Sequence, residues 1–185
     1  MNWSSELPTL SAERVRLRWL RPEDCEDLFS VFGDPAVMAY WSHPAWEQLE
    51  RAREYIRDIH AGFAARQLFQ WGVAELDSDI ILGTCTLCSY SAEQKRAEVG
   101  IILGRASWGR GLGREVLNLL IPFAFEEMDL ERLEADIDPN NERSLALFEG
   151  CGFVREGLLR ERWRVHGEVQ DSVLLGLLKR EWIPG

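Results

Sequence analysis

A chain of 185 residues with a formal net charge of −10, 46% hydrophobic and 28% charged residues, has the size and composition of one globular domain with a continuous core. Its charge excludes non-specific nucleic-acid binding, which rests on neutralising phosphates with Lys and Arg, and suits a cationic partner such as a basic protein N-terminus or a polyamine, if it does more than confer solubility. No apolar run nears the roughly eighteen residues of a membrane span, and the stretch from Met1 to Arg14 has neither a basic start nor an apolar core, so no membrane association and no secretory signal are expected and the expected location is the cytoplasm.

In chain order, Glu13 to Leu20 alternates charged with apolar residues at Val15, Leu17 and Trp19, which predicts a half-buried strand. Pro22 opens a predicted helix whose first-turn acids, Glu23, Asp24, Glu26 and Asp27, suit the positive helix start, and Gly33 ends it. After the Asp34-Pro35 turn, Val37 to Trp41 is a short apolar piece; Tyr40, Trp41 and Trp46 are read either as core or as a substrate wall. Leu49, Ala52, Ile56, Ile59 and Phe63 recur at spacings of three and four, predicting a one-faced helix from Ala45 to Arg66. Strands are predicted at Phe69 to Leu76 and Ile80 to Tyr90, joined through Asp77-Ser78-Asp79, and at Lys95 to Leu103.

That last strand empties into Trp108-Gly109-Arg110-Gly111-Leu112-Gly113, and a helix follows at once with Leu117, Leu120, Ile121, Ala124, Phe125 and Met128 on one face and Pro122 set to kink or split it. Glycines lack Cβ, so such a loop can wrap its N–H groups around an anion at a helix N-terminus, with Arg110 and Arg114 adding positive charge. A nucleoside-triphosphate loop is excluded, because Arg110 and Gly111 stand where Lys and a hydroxyl residue belong; a dinucleotide loop is excluded because Arg114 stands where the third glycine belongs. A strand is predicted at Glu131 to Ile137, and a helix at Glu142 to Gly150 capped by Asn141. Gly152 to Trp163 and Glu168 to Leu178 form a last hairpin across Val165-His166-Gly167, before a Trp182-Ile183-Pro184 tail. Cys25, Cys85, Cys88 and Cys151 suit buried, reduced thiols; Cys85 and Cys88 would point to opposite faces of a strand, and with His43, His60 and His166 widely spaced no metal site is expected.

Two stretches carry a resemblance. Trp108 to Gly113 is similar to the pyrophosphate loop of the GNAT superfamily of N-acetyltransferases, whose pattern is Arg or Gln, two residues, Gly, one residue, Gly or Ala; Trp108 stands at the Arg/Gln position, before Gly111 and Gly113. Asn141, Ser144, Phe148, Gly152-Phe153, Glu156-Gly157 and Asp171 follow in the order of that family's second motif, and the form of the loop looks most like the ribosomal-protein N-terminal acetyltransferases. The resemblance covers about Glu13 to Leu178. It implies a single α/β domain over residues 1–185, with a central, mixed but mostly antiparallel sheet flanked by helices and one splayed strand pair that receives coenzyme A. It further implies acetyl-coenzyme A as cosubstrate, held by Ile101, Ile102 and Leu103 of the splayed strand, by Trp108, Gly109, Arg110, Gly111, Leu112, Gly113 and Arg114 of the loop, and by Asn141 and Ser144; a homodimer is a further expectation by resemblance.

Acetyl transfer to an amine requires a neutral amine, donors for the carbonyl oxygen and a proton for the departing thiolate. An α-amine titrates at about 8 and a lysine at about 10.4, which favours a protein N-terminal acceptor over a side-chain one; amino acids, polyamines and amine-bearing antibiotics, and a coenzyme-binding module without turnover, remain alternatives. Glu98 is the candidate base, unless it only pairs with Lys95 or Arg96, and main-chain N–H groups from Gly100 to Ile102 are the candidate oxyanion donors. Many relatives carry a tyrosine where this chain has Phe148, which leaves Ser144, or Tyr90, as the candidate acid, or no dedicated acid at all, since a thiol titrates not far above neutrality.

Overall fold

The computed structural model describes residues 5–165 and 167–183, so His166 and Pro184 lie outside the described residues. Eight strands form one sheet: β1 (Leu10–Ser11), β2 (Val15–Arg18), β3 (Phe69–Glu75), β4 (Ile81–Ser91), β5 (Arg96–Leu103), β6 (Arg132–Ile137), β7 (Val154–Val165) and β8 (Glu168–Leu178). Their spatial order is β1-β2-β3-β4-β5-β6-β8-β7. Only the β5–β6 contact is parallel; all other neighbours are antiparallel. Helices α1 (Cys25–Phe32) and α2 (Glu50–Ala64) cover one face, α3 (Leu112–Pro122) and α4 (Glu142–Gly150) the other. This is the mixed, helix-flanked sheet that the sequence predicts.

Alternation along the strands sends their apolar residues into two layers. Leu17, Trp71, Leu87, Val99 and Leu133 pack with Val116, Leu117 and Leu120 of α3, while Leu20, Ala74, Ile81 and Ile102 pack with Leu28 of α1 and Ile56 and Ile59 of α2. Trp71 is fully enclosed; its indole N–H donates to the Pro8 carbonyl at 2.9 Å and its ring meets Phe123 edge-on.

Three elements depart from the sequence reading. The first predicted strand, Glu13 to Leu20, shortens to β2, and a two-residue β1 that the sequence reading did not include precedes it. Pro22 opens a 3₁₀ turn, Pro22–Asp24, and the α-helix begins only at Cys25; Asp24 is buried in a two-pronged pair with Arg18, both contacts at 2.8 Å, so it serves the core edge instead of a helix dipole. The second helix starts at Glu50, not Ala45, because the Trp46 N–H donates to the Phe32 carbonyl at 2.9 Å and its ring stacks on Phe32 at 4.4 Å; tertiary contact overrides periodicity there. Pro122 does split its helix. It closes α3, and Phe123–Glu127 continues as a wider π turn in which the Met128 N–H reaches back to the Phe123 carbonyl.

The parallel ladder between β5 and β6 covers only Arg96↔Arg132, Ala97↔Leu133 and Glu98↔Glu134, while β5 stays paired to β4 as far as Gly83↔Leu103. Beyond Glu98 the two strands part. A Cβ at Gly83 would sit far inside contact distance of the Ile102 carbonyl, so the close approach that positions β5 needs glycine. Gly83→Ala should therefore destabilise the fold by about 1–3 kcal/mol, read as a drop in urea midpoint at unchanged slope.

Candidate active site

The Gly104 N–H donates to the Leu82 carbonyl at 2.8 Å, which fixes the parity of the antiparallel β4–β5 ladder. With the register Gly83↔Leu103 to Cys88↔Glu98, the main-chain groups of Glu98, Gly100 and Ile102 face β4, and those of Val99, Ile101 and Leu103 face the gap toward β6. Ile101 and Leu103 thus open on the gap. Ile102 does not: its main chain is spent on Thr84 and its side chain lies in the α1/α2 layer. The Leu103 carbonyl is taken by the Trp108 indole N–H at 2.8 Å.

At the end of β5, Arg105–Ser107 makes a single 3₁₀ turn before the glycine loop. Gly109 and Gly111 hold φ of +69° and +78°, a region costly for any residue with a Cβ. Among the described residues, no main-chain carbonyl accepts from the N–H groups of Gly109 to Arg114, so these donors face outward at the start of α3. Arg14 braces the loop, donating to the Arg110 carbonyl at 2.9 Å and pairing with Glu115 of α3 at 2.8 Å. Gly113 lets α4 approach, since a Cβ there would lie 2.9 Å from Leu147. Arg114 departs from the sequence reading: its guanidinium lies against Gly150 at the C-terminal end of α4, away from the loop mouth. Asn141 caps α4, its side-chain oxygen accepting from the Ser144 N–H at 3.2 Å. Phe148, 2% exposed, stands edge-on to Phe153 in the core.

Where β5 and β6 part lies a cleft of about 230 Å3 lined by Ser89, Arg96, Glu98, Glu134, Asp136 and Arg162 among others. Glu98 does not pair with Lys95, which binds Asp129, or with Arg96, which binds Glu134 at 2.6 Å. Glu134 also receives Arg132 at 2.7 Å, and Asp136 receives Arg162 at 3.3 Å, the Trp163 indole at 3.1 Å and the Ser172 hydroxyl. Among the described residues Glu98 enters no salt bridge; its only side-chain partner is the Ser89 hydroxyl at 3.5 Å. Burial, then the neighbouring Asp136 and Glu134 charges, push its carboxyl above the ordinary value. Ser89 sits at the β4 bulge with φ of +50°, a strained turn that brings its hydroxyl to Glu98. Sequence reasoning did not find Ser89, Glu134, Asp136 or Arg162, because their grouping depends on register across three strands. Of the suggested wall aromatics, Trp46 is committed to Phe32 and Tyr55, Trp41 packs against the same layer, and Tyr40 is exposed; Tyr90 rests edge-on against Phe69.

The family described as the acetyltransferase (GNAT) domain matches residues 14–154. The chain belongs to the GNAT acetyltransferase family. An uncharacterized N-acetyltransferase, p20, of Bacillus licheniformis is 33% identical over 176 residues, 95% of this chain and 99% of that protein. Spermidine N-acetyltransferase from Vibrio cholerae, solved in complex with CoA and spermine, superposes with a TM-score of 0.79 at 22% identity, covering 90% of this chain and 96% of that one. The ribosomal-protein-S5-alanine acetyltransferase from Vibrio fischeri gives 0.83 at 21% identity, covering 96% and 100%. As a GNAT member the protein is an acyl-transferring enzyme. No helix among the described residues is long and apolar enough to cross a membrane.

Because the Glu98 carboxyl is raised by folding, the unfolded chain releases its proton first as pH rises. The contribution of Glu98 to stability therefore falls from about pH 4 upward and stays reduced at neutral pH. Glu98→Gln should melt above the parent at pH 7.5 and converge with it near pH 4; an equal gap at both pH values would rule out ionisation as the cause.

Proposed function

We propose that this enzyme transfers acetyl from acetyl-coenzyme A directly to a protein N-terminal α-amine, with Glu98 as the base. The observation that carries the choice of acceptor is the state of the cleft acids: Glu134 and Asp136 are each met by arginine, and Glu98 alone carries a carboxylate outside an ion pair. One amine finds one carboxylate there. A polyamine brings several cations to a cleft that Arg96, Arg132 and Arg162 also line, whereas an N-terminal residue brings one cation next to a peptide carbonyl that guanidinium N–H groups can bind. The Vibrio fischeri neighbour carries a ribosomal-protein alanine acceptor in its name and the Vibrio cholerae neighbour a polyamine, so the fold admits both.

The residues present fit coenzyme A. The space above Gly109 is open, the N–H groups of Gly109 to Arg114 face outward, and the gap beside β5 presents the Val99 carbonyl and the main-chain groups of Ile101 with no strand to pair them. In this reading the loop N–H groups of Gly109, Gly111, Leu112, Gly113 and Arg114, with the Arg110 side chain, hold the pyrophosphate at the start of α3. The Val99 carbonyl, Ile101 and the Leu103 N–H hold the amide-bearing arm, Ile102 backs it from the core, and Trp108, Asn141 and Ser144 flank it. Acetyl-coenzyme A supplies an acetyl group activated as a thioester. Glu98, its basicity raised by burial, takes the proton of an amine that titrates at about 8. Since Gly100 and Ile102 donate to β4 and the Val99 N–H closes the last rung of the β6 ladder, the N–H group of Ile101 is the donor placed for charge developing on the acetyl oxygen. Phe148 has no proton to give; the Ser144 hydroxyl donates a hydrogen bond to the departing sulfur, and the proton that Glu98 takes from the amine is the one that leaves on the thiol.

Glu98→Gln should lower kcat by about 10²–10⁴-fold with unchanged coenzyme A affinity by calorimetric titration. Gly111→Trp should abolish that binding. In an acceptor comparison, peptides beginning with Ala or Ser should outpace spermidine; a preference for spermidine over every peptide would overturn the acceptor, and undiminished turnover in Glu98→Gln would overturn the base.

A further inference from the structure

Most arginines of this chain are committed to carboxylates, including those beside the glycine loop: Arg14 to Glu115, Arg105 to Asp34, and Arg155 to Glu149 at the far end of α4. Among the described residues Arg143 is not. It stands in the first turn of α4, exposed, and its guanidinium carbon lies 5.1 Å from the centroid of the Trp108 ring. The ring is itself fixed, its indole N–H tied to the Leu103 carbonyl and its body packed against the α1/α2 layer. A guanidinium laid on an indole uses its face for the cation–π contact and keeps its edge N–H groups free, preoriented and at little further entropic cost. In a chain with net charge −10, a guanidinium left without a carboxylate beside the glycine loop is suited to an anion.

The outward N–H groups of the loop already account for a pyrophosphate, and Arg143 comes from a different element, on the ring that begins the loop. We propose that Arg143, held on Trp108, forms a subsite for a third phosphate, the ribose 3′-phosphate that distinguishes coenzyme A from dephospho-coenzyme A. This rests on the coenzyme A reading of the cleft. The chemistry is charge-assisted: a planar fork of N–H donors meets the oxygens of a phosphate monoester, which carries more charge than either phosphate of the bridging pyrophosphate.

The test is calorimetric titration of the intact protein, Arg143→Ala and Arg143→Lys with coenzyme A and with dephospho-coenzyme A at one fixed ionic strength. The parent should bind coenzyme A about tenfold more tightly than the dephospho form, in keeping with one charge-assisted bond to phosphate. Arg143→Ala should erase that ratio by weakening coenzyme A alone. Arg143→Lys, which keeps the charge and loses the stacked fork, should recover only part of it. Equal weakening of both ligands in Arg143→Ala, or an unchanged ratio, would overturn the subsite while leaving the coenzyme reading standing. Binding of neither ligand by the parent would overturn the coenzyme reading itself.

Discussion

Everything about the candidate site depends on one unmet obligation of the backbone. A strand inside a sheet has hydrogen-bonding groups on both edges, and those groups must find partners. On its β4 edge, β5 is satisfied along its whole length; on the β6 edge it is satisfied only as far as Glu98. The Val99 carbonyl and the groups of Ile101 open on a gap in the middle of an otherwise continuous sheet, where a ligand with amides can complete the ladder. Recognition of that kind is made by main chain, so the side chains there are free to serve the core: Val99 lies in the α3/α4 layer and Ile102 in the opposite one.

Electrostatics then separates the two ends of the gap. At the loop end, backbone N–H groups and arginines outside ion pairs face outward. At the apex, three acids and three arginines meet, and the pairing among them leaves Glu98 over. The net charge of the chain says little about this arrangement, because the three acids of the cleft meet three arginines and the excess acids lie elsewhere. Ion pairing makes the local charge of the cleft, and ion pairing is a property of the fold.

The features legible in the sequence are the local ones. Glycines at Gly109 and Gly111, the cap at Asn141, the one-faced pattern of α2 and α3 and the interruption at Pro122 all depend on residues within a few positions of one another. The parting of the strands was expected only through resemblance, since nothing in the β5 sequence marks where its second partner is lost. Which main-chain groups face the gap was not legible either: parity follows from the Gly104 to Leu82 bond, and it exchanges Val99 for Ile102. Arg114 reads as a loop charge until α4 is brought beside it, and Trp46 reads as a helix residue until Phe32 offers it a stacking face. Grouping Ser89 with Glu98, Glu134, Asp136 and Arg162 needs strands from distant parts of the chain in one register.

The two borders of the sheet have a bearing on what this protein does at high concentration. One border is β1, two residues long; the other is β7, whose register shifts at Arg155/Gly157 and again at Leu159/Trp163, with charged residues along the intervening stretch. Growth of a sheet by addition of a foreign strand needs a long, regular row of donors and acceptors. Neither border supplies one. The sheet is interrupted at its centre, where a small amide-bearing molecule fits, and blunted at its rims, where another polypeptide would begin to aggregate.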